Sequence, residues 1–175
     1  LEERSGGWHR YSSQIDGAAI VNVDYKINKE HTLKFEGRWI GPGFVTLGYE
    51  QLQNDVFETS VSNSSYMLKR KLTVNSNIKY RVNNLRDNRF AATKRLLLSV
   101  SGNWQVNNQL GLSTQIFNYN MNSNPQNDTL RIDNNFLSFL LSPRYSFNAL
   151  GGFNFSSLTY SYMGFSDNNV ITSAI

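Results

Sequence analysis

Two histidines, His9 and His31, are the only imidazoles in the chain, and cysteine is absent. Imidazole is the usual general base near neutral pH, so these two positions bound the catalysis open to the sequence. His9 has Trp8 and Asp16 close by in sequence. A His supported by an acidic residue is the base of hydrolytic triads, which makes His9 the one conceivable base. No nucleophile motif accompanies it, and no enzymatic activity is expected. His31 lies beside a predicted tight turn, where a solvated side chain is the expectation. Asp and Asn recur as Asp87 with Asn88, Asp128, Asp133 with Asn134, and Asp167 with Asn168. None shows the one-three-five spacing of a calcium loop, and Asx turns account for them more simply. Without thiolates, a metal site or a cofactor motif, no cofactor is expected.

The elements carrying these residues are strands. In "KLTVNSNIKYRV" (Lys71 to Val82), Leu72, Val74, Ser76, Ile78, Tyr80 and Val82 alternate with Thr73, Asn75, Asn77, Lys79 and Arg81. That period of two places the sets on opposite faces of a strand. The same pattern predicts strands over Gly17–Asn28, His31–Ile40, Asp55–Tyr66, Arg95–Val106, Leu110–Met121, Asn135–Phe147 and Phe153–Phe165, about eight in all. Apolar faces carry Val21 and Val23, Leu33 and Phe35, Val74 and Ile78, and Leu98 and Val100. The opposite faces carry Lys34, Glu36, Arg38, Lys79 and Arg81. The sixth strand changes its apolar face from Leu112 and Ile116 to Phe117, Tyr119 and Met121, which predicts a bulge. The eighth shifts near Ser156 and Ser157, and Pro143 sits awkwardly inside the seventh.

Composition agrees with an all-β chain. Hydrophobic residues make up 39% and mean hydropathy is −0.44, and no run approaches the roughly 18 apolar residues of a spanning helix. The net charge is +4 with pI near 9.4, but basic residues are scattered. The one dense group, "LKRK" (Leu68 to Lys71), falls between two strand patterns and reads as a solvated turn, so no nucleic-acid partner is expected.

The connections alternate in length. "NKE", "LKRK", "NNQ" and "NALGG" are tight, whereas "GPGFVTLGYEQLQN", "NNLRDNRFAATK" and "NSNPQNDTLRIDN" run to about a dozen residues, the signature of a transmembrane β-barrel with its short turns on the periplasmic side. A strand of about eleven residues rises about 36 Å, or roughly 28 Å along the membrane normal at a tilt near 40°, close to the apolar band of such a barrel. Tyr25 and Trp104 fall near short turns and Trp39 and Tyr80 near long loops, resembling two interfacial girdles. The rival is a water-soluble β-barrel or sandwich whose apolar face is a core. The reading is an antiparallel up-and-down transmembrane β-barrel in which the apolar face meets lipid and the charged face lines the lumen. Since the first strand descends and the eighth rises, residues 1–175 are expected to form a single barrel segment, incomplete at both ends, of a larger barrel of roughly ten strands or more.

"GPGFVTLGYEQLQND" (Gly41 to Asp55) and "RVNNLRDNRFAATKR" (Arg81 to Arg95), separated by two strands and "LKRKL", resemble large outer-membrane β-barrel proteins of Bacteroidota, in which a Gly-Pro-aromatic loop with "SLG…L…D" precedes an "RDN…AT" loop. Here Thr46 stands for the usual Ser and "YEQL" for "NPYL". The resemblance covers about a third of the chain and implies a barrel in the outer membrane of a Gram-negative bacterium, with membrane lipid and other outer-membrane proteins as partners. It brings no reaction. Asp128-Thr129-Leu130 matches the Asp-Ser/Thr-apolar sequon of O-glycosylation in the same bacteria, making Thr129 a candidate acceptor. Transport, secretion or a surface-structural role follows. The alternatives are the barrel portion of a TonB-dependent transporter, a surface-adhesion or assembly component, and a soluble β-barrel.

Overall fold

The structure is a computed structural model and describes residues 17–44, 53–85, 91–125, 131–149 and 151–168. They form nine strands and no helix: β1 (Ala18–Lys26), β2 (His31–Ile40), β3 (Val56–Met67), β4 (Leu72–Asn83), β5 (Ala91–Gln105), β6 (Leu110–Pro125), β7 (Asp133–Ala149), β8 (Gly152–Ser157) and β9 (Tyr160–Asp167). Each strand pairs antiparallel with the next in sequence from β1 to β8, and β9 continues along β7 beyond β8. The fold is therefore an all-β, up-and-down, barrel-like sheet. Among the described residues β1 and β8–β9 do not pair with each other, so the sheet is open, in agreement with a barrel segment.

Register is the dominant fact of this sheet. Val23 faces Phe35, Phe35 faces Val61, Val61 faces Ile78, and Ile78 faces Leu98. Cross-strand partners share a face, so one face carries Val21, Val23, Leu33, Phe35, Val74, Ile78, Leu98 and Val100, together with Tyr25, Trp39, Tyr80 and Trp104. The other carries Lys34, Glu36, Arg38, Lys79 and Arg81. Every ladder keeps a constant register from end to end.

That constancy corrects the sixth strand. β6 has no bulge in its pairing with β5 or β7. Leu112 and Ile116 lie on the apolar face, whereas Phe117, Tyr119 and Met121 lie on the polar one, partnered by Ser99, Leu97 and Arg95. Asn118, Asn120 and Asn122 take the apolar-face positions above Ile116. The polarity of the faces changes along β6, not the geometry. The physical reason is strand length and stagger. Leu98 is level with Ile78 but pairs with Asn118, so from β4 onward the apolar band steps toward the short turns, as it does when barrel strands tilt. The outer reaches of β6 and β7 extend past that band. Phe117 and Phe136 then meet edge to face across the polar side, ring centroids 6.1 Å apart.

The eighth strand is likewise one register in two pieces. Ser157 pairs with Arg144 and Tyr160 with Leu141, so Leu158 falls opposite Pro143. Leu158 N donates to Pro143 O at 3.1 Å, but proline has no N–H to return the bond. The ladder breaks there without a change of register, so the apolar side chains do change face: Phe153 and Phe155, opposite Asn148 and Ser146, lie on the polar side, and Tyr160 and Tyr162, opposite Leu141 and Phe139, on the apolar one.

Strands also reach further into the long connections than their sequence pattern indicated. β4 and β5 leave only 84–90 between them, and β6 and β7 only 126–132. The contrast with the short turns 27–30, 68–71, 106–109 and 150–151 persists. Two of these turns are built alike. Asn28 Oδ1 accepts from the amides of Glu30 and His31, each at 2.8 Å, and Asn107 Oδ1 accepts from Gln109 and Leu110 at 2.8 and 2.7 Å. These are Asx turns, and they lie in tight turns. At the opposite end of the sheet the ladder continues through Gly41, Asp55 and Asn84: Asp55 N donates to Gly41 O at 3.4 Å and Asn84 N to Asp55 O at 2.9 Å. Asp55 and Asn84 have φ of 59° and 58°, a left-handed conformation that Asp and Asn tolerate best among side-chain-bearing residues.

The turn 68–71 pays no such attention to residue type. Leu68, Lys69 and Arg70 have φ of 53°, 56° and 67°, three consecutive left-handed residues, each costing roughly 1 kcal/mol with a Cβ present. Lys69→Gly is expected to stabilise the fold by about 0.5–1 kcal/mol. A urea midpoint unchanged or lowered in Lys69→Gly would show that the turn relaxes out of this conformation.

Candidate functional site

On the polar face, the residues that bear charge meet in one row. Arg38 on β2 is the register partner of Glu58 on β3, Glu58 of Arg81 on β4, and Arg81 of Arg95 on β5. Strand alternation puts all four side chains on one side of the sheet. The Glu58 carboxylate is shared: Lys79 Nζ lies 3.0 Å and Arg38 Nη2 3.2 Å from Oε1, and Arg81 Nη1 lies 3.6 Å from Oε2. Its side chain is only 5% exposed, against 27–40% for the three cations. Arg81 Nη2 also donates to Gln53 Oε1 at 2.6 Å.

Nearer the short turns the same face is lined by hydroxyls and amides. Asn77 Nδ2 donates to Ser62 Oγ at 2.6 Å and Ser64 Oγ to Asn75 Oδ1 at 2.8 Å, each a cross-strand partner pair. A cleft of about 210 Å³ opens there between Lys34, Ser62, Asn77 and Ser99. A second, of about 520 Å³, runs across Arg70, Thr73, Asn103, Ser142 and Arg144 near the turns. Both open mainly on the polar face, consistent with a sheet that curls toward it. Lys34 approaches Asp24 to 3.6 Å, but both are about 60% exposed, so this pair contributes little. Glu36 stands opposite Asn22 and Ser60.

The opposite face presents aromatics in two groups. Trp39 and Phe57 are partners toward the long connections, with Tyr80 beside them opposite Thr59. Tyr25 and Trp104 lie toward the short turns, where Tyr145 and Phe147 stack at 6.0 Å.

His31 is not a simply solvated side chain. Its Nδ1 lies 2.9 Å from Ser65 Oγ, which in turn donates to Asn63 Oδ1 at 3.2 Å. Ser65 is 3% exposed, so its hydroxyl is not presented to a substrate and the contact fixes the start of β2 against β3. Among the described residues no three His, Asp or Glu side chains cluster as metal ligands do. His9, Trp8, Asp16, Thr129, Asp87, Asn88 and Asp128 lie outside the described residues.

Arg38, Lys79 and Arg81 are expected on this face from the strand pattern, but the carboxylate that joins them is not. Glu58 stands in a weakly patterned, Ser- and Thr-rich strand. The available signal is that, with Asp55, it is one of two charges in the expected strand Asp55–Tyr66, flanked in the hairpin order by strands bearing Arg38 and Arg81.

Comparison with known proteins found no matching family model, no matching curated protein and no matching solved structure.

Removing one partner of a buried ion pair strands the others. Because the three cations are partly solvated, Glu58→Gln is expected to cost about 2 kcal/mol, below the range for fully buried pairs. Arg38→Gln should cost less, since Glu58 keeps Lys79 and Arg81. Chemical-denaturation midpoints would check this order, and a larger loss for Arg38→Gln would contradict the shared-carboxylate geometry.

Proposed function

We propose that this chain is a segment of an outer-membrane β-barrel in a Gram-negative bacterium, with lipid against its apolar face and water against its polar face. It serves transport, secretion or surface structure. One observation carries this reading: the apolar face is continuous across the sheet and exposed. Val21, Phe35, Val61, Ile78, Leu96 and Tyr162 are each 44–55% exposed. Among the described residues the buried hydrophobic side chains are Ile40 and Val56, which are on the polar side near the long connections. A soluble monomer rarely leaves so extended an apolar surface in water, whereas hydrocarbon solvates it.

The supporting arguments are geometric. β3 and β4, with 12 residues each, span about 30 Å at barrel tilt, enough for the apolar band. From β2 to β7 each strand pairs with a neighbour on both sides, as a lipid-exposed structure requires. Aromatics lie toward both ends of the band. The resemblance to Bacteroidota barrels carried by "GPGFVTLGYEQLQND" points the same way. No helix among the described residues is long and apolar enough to cross a membrane, which says nothing of a β-barrel.

Val74→Arg and Leu98→Arg, on the apolar face, should each cost about 2–4 kcal/mol and impede folding into lipid vesicles. Asn75→Arg, on the polar face, should fold with little loss. Equal tolerance of all three in a vesicle-folding assay would rule out lipid contact.

Orientation is tested separately. In intact cells making the full-length protein, single cysteines at Leu85 and Arg131 should react with a membrane-impermeant maleimide. Those at Lys69 and Asn108, in short turns, should not. Labelling of the turn positions alone would invert the barrel.

A further inference from the structure

Arg81 and Arg95 are direct partners across β4 and β5, so two guanidinium groups rise from the same face with backbones roughly 5 Å apart. Like charges directly opposite destabilise a sheet. Arg81 is held by Glu58 and Gln53. No ion pair reaches Arg95 among the described residues. On the polar face it is flanked by Thr93 and Leu97 along β5 and by Met121 on β6, none of which is an acid. Nor does Glu58 have charge to spare, because it already neutralises parts of three cations. The group Arg38, Glu58, Lys79, Arg81 and Arg95 therefore holds four positive charges and one negative. Arg95 is half-buried, and Arg38 Nε is buried without a hydrogen-bond partner. The excess cation is fixed in place by strand register and by the Glu58 bridge.

We infer that this row is an oxyanion site: a phosphate or carboxylate group of a solute seats between Arg81 and Arg95. Guanidinium presents paired N–H donors that match two oxygens of such a group. Glu58 acts as the positioning residue, drawing Arg38, Lys79 and Arg81 into a fixed arrangement while leaving Arg95 uncompensated. The clamp names the solute class for the proposed function only if the polar face is the barrel interior. Its binding chemistry depends on register alone.

The test uses the full-length protein in a nonionic, phospholipid-free detergent, so that no lipid headgroup supplies the anion. Inorganic phosphate, and in a second arm succinate, is titrated calorimetrically against sodium chloride at equal ionic strength. Saturable binding of at least one of the two is expected, weakened about tenfold in Arg95→Gln through loss of a bidentate charge-assisted contact. Arg95→Glu supplies the missing carboxylate internally. It should abolish binding and raise the urea midpoint in chloride. Absence of saturable binding in both arms, unchanged affinity in Arg95→Gln, or a lowered midpoint in Arg95→Glu overturns the inference. A chain that proves soluble without detergent would sink the lipid reading while leaving anion binding intact, so the two failures are distinguishable.

Discussion

Everything in this sheet depends on uninterrupted antiparallel register. A slip of one residue anywhere would carry a whole strand's side chains to the other face. From β1 to β9 no such slip occurs. The constraint makes the apolar face continuous, since Val23, Phe35, Val61, Ile78 and Leu98 are successive partners. It equally makes the charged row, since Arg38, Glu58, Arg81 and Arg95 are successive partners on the reverse side. The proposed lipid surface and the proposed anion site are two sides of one hydrogen-bond lattice.

That lattice explains how a chain with a mean hydropathy of −0.44 can present a wide greasy surface. From β1 to β5 alternation places most apolar residues on one face, so the other half of each strand is free to be Ser, Thr, Asn, Lys or Arg. The polar half is not inert. Cross-strand pairs such as Asn77 with Ser62 and Ser64 with Asn75 bond to each other, and Glu58 gathers cations from both neighbouring strands.

Strand identity and facing were legible because period two is a strong local signal. β2 has the bounds expected from its pattern, and β3 and β4 differ only by a residue at each end. What local reading missed depends on neighbours. Phe117, Tyr119 and Met121 looked like a change of face because a strand alone does not reveal where the apolar band lies relative to the strands beside it. The break at Leu158 is caused by Pro143, a residue on the adjacent strand. Glu58 is unremarkable within its own strand and becomes the centre of a cluster only when β2 and β4 are laid beside it. Ser65 as the partner of His31 was hidden for the same reason. Properties belonging to one strand were readable, and those belonging to a pair of strands required the register.

The missing N–H of Pro143 divides the last described strand's attachment into two short ladders that meet at Leu158 and Thr159. Cooperative opening is limited by the length of ladder that must break together. The six residues of β8 can part from β7 while the eight of β9 stay joined, or the reverse. Among the described residues, where β8 and β9 form one edge of the sheet, this strand can thus detach by halves, each across a smaller barrier than peeling the whole edge. An uninterrupted strand would present a single latch, whereas this one presents two, and the position of one ring nitrogen decides where the first ends.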